Sequence, residues 1–354
     1  MEPTRFDPRS VAFLLRLQED LFGPLTTGHE STDAEARRII LAALPETDRA
    51  IVAAAPIPDD PVPTPYESPE NYSILTDVAG QILAALAEDA TLPDPPLVGT
   101  LPVGWPTAIL LRVPHSTDHL VVVDVQFTVF ANLLAKACAQ GLMPDPDDLS
   151  KEAWTRGLES RTHSGVQRYV ELMTATLHEG PAGAPAYWPD AEWSGVASQL
   201  RTAIEVFVMA GPFAHLAMGH TEGAPVLSMS AMHPTAESYD WDESHRAAAF
   251  LLQVAVAASV FDRRGFDKSL GYWAIDMFLR SIVLIEVLQA EAKGVEAPSG
   301  TWGQEALAFL RPVLVQAEGA ESRSIAMLDR LSPIADAFLR QAALGIGGQA
   351  EGVH

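Results

Sequence analysis

Two long apolar segments in the C-terminal half of the chain restrict what it can fold into. Residues 247–261 are almost wholly apolar, yet this segment is shorter than the roughly 18 to 20 residues needed to span a bilayer. The segment 269–290 is long enough, but it carries Asp276, Arg280 and Glu286. Both segments are therefore predicted to be buried helices of a large core, and no membrane partner is expected. Asp276 and Arg280 are four residues apart, so they share a helix face and are predicted to pair.

Apolar residues recur at helical spacing along most of the chain, which predicts a mainly α fold. A small β element interrupts this pattern. Residues 108–113 and 119–125 are short β-branched runs separated by a turn, and this order predicts a hairpin or small sheet. The predicted helices cover 11–21, 33–44, 72–90, 127–142, 149–160, 164–178, 193–220, 240–262, 267–293, 301–317 and 320–343.

Prolines determine the predicted domain organisation. Residues 55–70 are rich in proline, which lacks an amide donor and fixes φ, so neither a helix nor a central strand is expected there. A second proline-rich stretch at 91–106 ends the N-terminal third of the chain. We therefore predict a proline-rich helical N-terminal region over 1–105, a helical domain over 106–345 and a disordered tail over 346–354.

Charge and cysteine content limit the class of partner and the compartment. The chain has 46 Asp and Glu against 23 Lys and Arg, a formal net charge of −23. It has only four lysines and no cluster of arginines, so the basic face that nucleic acid requires is not expected. The single cysteine, Cys138, excludes an internal disulfide and a four-thiolate zinc site. Because the N-terminus also lacks the pattern of a signal peptide, an acidic cytoplasmic protein is expected.

Several common catalytic motifs do not occur, namely the GxxxxGK[ST] phosphate loop, GxGxxG after a strand and the GxSxG nucleophile elbow. Cys138 lies in an apolar helical pattern and is predicted to be a buried structural thiol. His115 and His119 are predicted to lie in the surface turn of the hairpin. The acidic groups in proline-containing loops are predicted to be solvated charges: Asp59 and Asp60, and Asp145, Asp147 and Asp148.

One pair of segments carries a motif with chemical meaning: EVFVMAGPFAHLAMGH at 205–220 and YDWDESHRAAAFLL at 239–252. Over roughly 106–315 the chain resembles zincin metallopeptidases of the gluzincin type, whose active-site helix has a motif like HExxHxxxGH. In that family this helix supplies two zinc ligands and a general base, and a later helix supplies a glutamate ligand. Residues i and i+4 lie about 40° apart on a helix, so two such histidines converge on one metal.

The resemblance is carried by part of the motif. His215 matches the second histidine, and the pair Gly219–His220 matches the trailing Gly-His. The first histidine falls on Gly211, and the catalytic glutamate falls on Pro212. Downstream, Glu243 matches the glutamate ligand.

The departures from the motif remove chemistry that the family requires. Gly211 offers no ligand and Pro212 offers no base, and the missing proline amide predicts a kink or a restart of the helix there. His215 and His220 are five residues apart, about 140° around an unbroken helix, so they are not expected to face one metal. The alternative zinc-ligand set that remains comprises His215, His220, Glu243 and His245, with His233 as a further candidate.

The resemblance therefore implies a catalytically inactive metallopeptidase-like protein, a pseudoenzyme with no catalytic residues and no cofactor. It would act as a binding or scaffolding module for another protein or peptide, with the old substrate cleft as the contact surface. Two alternatives stay open: an active zinc-dependent hydrolase with relocated ligands, and a helical interaction protein unrelated to peptidases. Descent also predicts that His215 and Glu243 face one cleft. The vestigial metal-site positions are Gly211, Pro212, His215 and Glu243.

Overall fold

A computed structural model describes residues 7–23, 49, 62–87, 95–142, 151–185, 187, 189, 191–220, 243–296, 299 and 301–350. Side chains are described in these ranges except at 142, 151–163, 191–192, 243–245, 341 and 344–350. The described chain is mainly helical with one three-stranded sheet, which confirms the predicted fold class. In these ranges no helix combines the length and the apolar character that crossing a membrane requires.

The helices are α1 (Pro8–Phe22), α2 (Pro69–Leu86), α3 (Phe127–Leu142), α4 (Lys151–His178), α5 (Ala191–Ala217), α6 (Glu243–Arg264), α7 (Lys268–Ala292), α8 (Trp302–Glu318) and α9 (Arg323–Ala350). Several of them begin at a capping side chain that accepts a hydrogen bond from a backbone amide of the first turn. The capping residues are Asp7 for α1, Ser68 for α2, Asp267 for α7 and Thr301 for α8.

The strands are β1 (Leu97–Leu101), β2 (Ala108–Arg112) and β3 (His119–Asp124), in the order β1-β3-β2. β2 and β3 pair antiparallel, with Leu110 opposite Val121, which confirms the predicted hairpin. β1 pairs with β3 in parallel. Strand β1 was not predicted from the sequence, because prolines on both sides of it give its segment the composition of a linker.

The predicted helices differ from the structure at two places. The helices predicted at 149–160 and 164–178 form one continuous helix, α4. The last helix, α9, extends to Ala350 and so enters the segment predicted as a disordered tail from residue 346. The helix predicted at 33–44 lies outside the described residues.

Residue contacts divide the chain into two compact units. Unit 1 falls within Met1–Phe127 and Val208–Ala249, and unit 2 within Thr128–Phe207 and Phe250–His354. These bounds differ from the predicted boundary at residue 105, because β1 pairs across that position with β3. Each unit therefore combines segments that are distant in sequence.

In unit 1, α1 packs its apolar face against the sheet. Leu14 of α1 and Leu101, Leu111 and Val122 of the strands belong to one buried cluster. Burial of such apolar surface is the main favourable term in the folding of a small core, at about 25 cal/mol per Å². The cluster therefore fixes α1 on the face of the sheet.

A buried polar network ties the segment before α2 to this core. The Glu67 carboxylate accepts hydrogen bonds from the Gln18 side-chain amide at 2.8 Å and from the Thr100 backbone amide at 2.7 Å. The Thr100 hydroxyl donates to the same carboxylate at 2.8 Å, and the Thr64 hydroxyl donates to Gln18 Oε1 at 2.5 Å. Burial raises the pKa of Glu67, and these hydrogen bonds oppose that rise.

In unit 2, helix α7 is buried over most of its length and contacts α9, α8 and α4. Its aromatic residues Tyr272, Trp273 and Phe278 are almost fully buried. Arg280 Nε donates to Asp276 Oδ2 at 2.7 Å, which confirms the predicted pair. The two long apolar segments, 247–261 and 269–290, therefore lie in helices α6 and α7.

Candidate functional site at the end of helix α5

Helix α5 positions the residues of the metallopeptidase-like motif. It runs continuously over Ala191–Ala217 with Pro212 in its interior. The predicted restart of the helix at Gly211 and Pro212 is therefore wrong, and the alternative of a kink stays a prediction. Proline costs about 3 kcal/mol in a helix interior. Buried side chains on the same turn, among them Phe213 and Leu216, supply the packing that offsets this cost.

The end of α5 brings His215 and His220 together. Gly219 has a left-handed conformation, with φ at 71°. The His220 amide donates to the His215 carbonyl at 3.0 Å, and the Gly219 amide donates to the Leu216 carbonyl at 3.1 Å. This is the Schellman arrangement, in which a left-handed residue turns the chain back over the helix end.

As a result, the Nδ1 atoms of His215 and His220 lie 3.2 Å apart. The expected angle of about 140° between the two residues does not apply, because it assumed an unbroken helix through residue 220, whereas α5 ends at Ala217. The turn at Gly219 therefore brings together His215 and His220, which both match positions of the metallopeptidase motif.

The electrostatics of this pair follow from burial. One Nδ1 donates to the other, and the ring centroids are 5.4 Å apart with an interplanar angle of 47°. Burial, and secondarily the neighbouring His220, lower the pKa of His215 to about 4. The His215 ring is therefore neutral at pH 7.

The residues at the family's zinc positions do not fit a zinc centre. Gly211 has no side chain and the Pro212 ring has no donor atom, so neither can bind a metal or activate water. Within the described residues no group of three or more His, Cys, Asp and Glu side chains could hold a metal ion.

The downstream half of the motif is described only in its backbone. Glu243 is the first residue of α6. Its side chain and that of His245 lie outside the described side chains, and His233 lies outside the described residues. The predicted proximity of His215 and Glu243 therefore stays a prediction.

The cysteine and the two hairpin histidines considered in the sequence lie in different surroundings. Cys138 is buried, as predicted from its apolar helical neighbours, and burial raises its pKa. His115 lies in the β2–β3 turn as predicted, with φ at 58°. His119 is instead the first residue of β3, opposite Arg112, so its placement in the turn was wrong. Burial and then Arg112 lower the pKa of His119. The acidic groups at 59–60 and 145–148 lie outside the described residues.

Unit 2 contains a cationic cluster that was not predicted from the sequence. Lys136 Nζ donates to the Tyr187 carbonyl at 3.0 Å, and the Arg168 guanidinium lies 4.8 Å from the centre of the Tyr187 ring. Burial, followed by the charge of Arg201, lowers the pKa of Lys136 to about 8. These residues come from distant parts of the sequence, so no local pattern could have indicated the cluster.

A cavity of about 160 Å³ lies between α7, α8 and α9. Its polar side is formed by Asp276, Arg280, Arg311, Asp329 and Ser332. Arg280 contacts both Asp276 and Asp336, and Arg311 contacts Asp329. Leu307, Leu310 and Leu328 form its apolar side. Of these ion pairs, only Asp276–Arg280 could be predicted from helical spacing, because the other pairs join residues of different helices.

Comparison of the chain with protein-family models, with curated proteins and with solved structures gave no match.

Proposed function

We propose that this chain is a non-catalytic binding or scaffolding protein descended from a zinc metallopeptidase. One observation carries the proposal: the positions of the first zinc ligand and the general base are occupied by Gly211 and Pro212 inside the continuous helix α5, where Pro212 is buried. A peptidase that loses both groups loses the means to hold the metal and to activate water.

The geometry of His215 supports the same proposal. Its ring is packed at the end of a helix whose neighbouring side chains Phe213, Ala214 and Leu216 are buried. The partner is another protein or peptide that contacts the former cleft, and the protein acts in the cytoplasm. The strongly acidic composition favours a partner with basic character.

Restoring the motif tests this function. The double variant Gly211→His/Pro212→Glu rebuilds the sequence HEFAHLAMGH with both missing groups. If α5 descends from an active-site helix, this variant should bind Zn²⁺ at least about a hundredfold more tightly than the native protein, because it gains a ligand at i−4 from His215. The single variant Pro212→Glu is the matched control, and it should not gain this affinity.

Peptidase assays complete the test. The native protein should show no chelator-sensitive cleavage of casein or of a peptide library. Chelator-sensitive cleavage that is lost in a Glu243→Gln variant would instead identify an active hydrolase with relocated ligands. An unchanged Zn²⁺ affinity in the folded double variant would favour a helical interaction protein unrelated to peptidases.

A further inference from the structure

The distance between His215 Nδ1 and His220 Nδ1 fits either a hydrogen bond between the two rings or a metal ion bound by both. At 3.2 Å it is at the long end of the range of about 2.7–3.2 Å for hydrogen bonds of nitrogen donors. Two nitrogen ligands of one tetrahedral ion, with bonds of 2.0–2.1 Å, lie about 3.3 Å apart. The two nitrogens are therefore already at the distance that such an ion imposes on a pair of ligands.

We propose that His215 and His220 form a metal-binding pair for a divalent transition-metal ion of the zinc class. Binding replaces the proton shared by the two Nδ1 atoms. The ring that carries this proton takes the Nε2–H tautomer by exchange with water, so both Nδ1 lone pairs face the ion and no net proton is lost. The pair uses a different ligand geometry from the family's helical i, i+4 pair, and it is independent of the proposed function.

The backbone holds the pair in place before any metal binds. The left-handed Gly219 and the two hydrogen bonds that close the end of α5 fix the position of His220 over His215. Metal affinity rises when ligands are held in position in advance, because less conformational freedom is lost on binding. Two protein ligands still hold an ion more weakly than the three or four of a tetrahedral zinc site. The ion is therefore expected to exchange readily and to be lost during purification.

Metal titration of the full-length protein tests the pair. Zn²⁺ added to chelator-stripped protein should raise its melting temperature, since a ligand that binds only the folded state stabilises it. Co²⁺ should give the visible absorption of a tetrahedral site, and Zn²⁺ should displace it. The chain has ten histidines, so the decisive comparison is between variants rather than the presence of binding.

The variants His215→Ala and His220→Asn should each weaken Zn²⁺ binding at least about tenfold and should abolish the Co²⁺ spectrum. Asparagine at 220 can still hydrogen-bond with His215, so this variant separates metal binding from the hydrogen bond. His178→Ala is the matched control, because His178 is an exposed histidine in the last turn of another long helix, α4. Folding of each variant is checked by circular dichroism.

Unchanged Zn²⁺ affinity in the folded His220→Asn protein would overturn the proposal, as would a native protein that gives no Zn²⁺ response. These outcomes are separate from the test of the proposed function, which depends on the affinity gained at Gly211 and Pro212. A native protein without metal affinity and a double variant with it would reject the histidine pair alone.

Discussion

Gly165 of α4 lies against Gly141 of α3 so closely that a Cβ atom on Gly165 would be 2.3 Å from the Gly141 Cα. No real Cβ atom approaches a backbone carbon to that distance. The two helices therefore meet backbone to backbone at this point, and each glycine is required by the contact rather than by its φ angle.

This contact predicts that Gly165→Ala lowers the free energy of unfolding by about 1–3 kcal/mol, because the added methyl group forces the helices apart. The matched control is Gly195→Ala in α5, where a Cβ would meet nothing within 4 Å. That variant should be stabilised by about 0.5–1 kcal/mol, since alanine is the better helix former. Chemical denaturation of both variants measures the two changes in the free energy of unfolding, which should have opposite signs. Stabilisation by Gly165→Ala would contradict the observed contact.

The two ion pairs beside the interhelical cavity should differ in importance. The Arg280 and Asp276 side chains are 17% and 6% exposed, whereas those of Arg311 and Asp329 are 58% and 53% exposed. Arg280→Leu should cost about 3 kcal/mol of unfolding free energy, because it leaves the Asp276 carboxyl buried without its cation. Arg311→Leu should change stability little, since water screens the exposed pair. Equal effects in urea unfolding would show that burial does not distinguish the two pairs.

Glu67 should make stability depend on pH. Its pKa is raised above the usual value near 4.5 by burial. Its contribution to stability is therefore fully present below that value and is lost as the pH rises through the raised pKa. The native protein should therefore lose stability relative to Glu67→Gln as the pH rises above about 4.5, the usual pKa of the carboxyl group. Urea unfolding of both proteins at several pH values measures this difference, and parallel pH profiles would argue against the raised pKa.

The left-handed conformation of Gly219 should restrict substitution at the end of α5. Gly219→Val places a β-branched residue at φ 71° and should cost about 1–2 kcal/mol. Gly219→Asn should cost less, because asparagine adopts this conformation more readily than other residues. Thermal unfolding of the two variants gives the order of stability, and a valine variant as stable as the asparagine variant would exclude the Schellman turn.

Cys138 should report global unfolding. The thiol is buried and its pKa is raised, so the reactive thiolate is scarce and inaccessible in the folded protein. Under native conditions an alkylating reagent should modify Cys138 only after unfolding, and the labelling should follow the denaturation curve measured by circular dichroism. Rapid labelling of the fully folded chain would place the thiol at the surface.

The sequence by itself determined the features that depend on residues close together in the chain. Apolar spacing indicated α3, α5 and α7, and the β-branched runs indicated the β2–β3 hairpin. A separation of four residues was enough to predict the Asp276–Arg280 pair, because helical geometry places such side chains on one face. The burial of Cys138 followed in the same way from its apolar helical neighbours.

The tertiary structure decided the features that depend on partners distant in sequence or on one backbone angle. β1 is a strand only because β3 supplies its hydrogen-bonding partner, and α3 and α4 meet through Gly141 and Gly165 only because the fold brings them together. His215 and His220 would diverge on an unbroken helix. The left-handed φ of Gly219 reverses the chain and places the two rings in contact, and a helical periodicity contains no information about such a reversal.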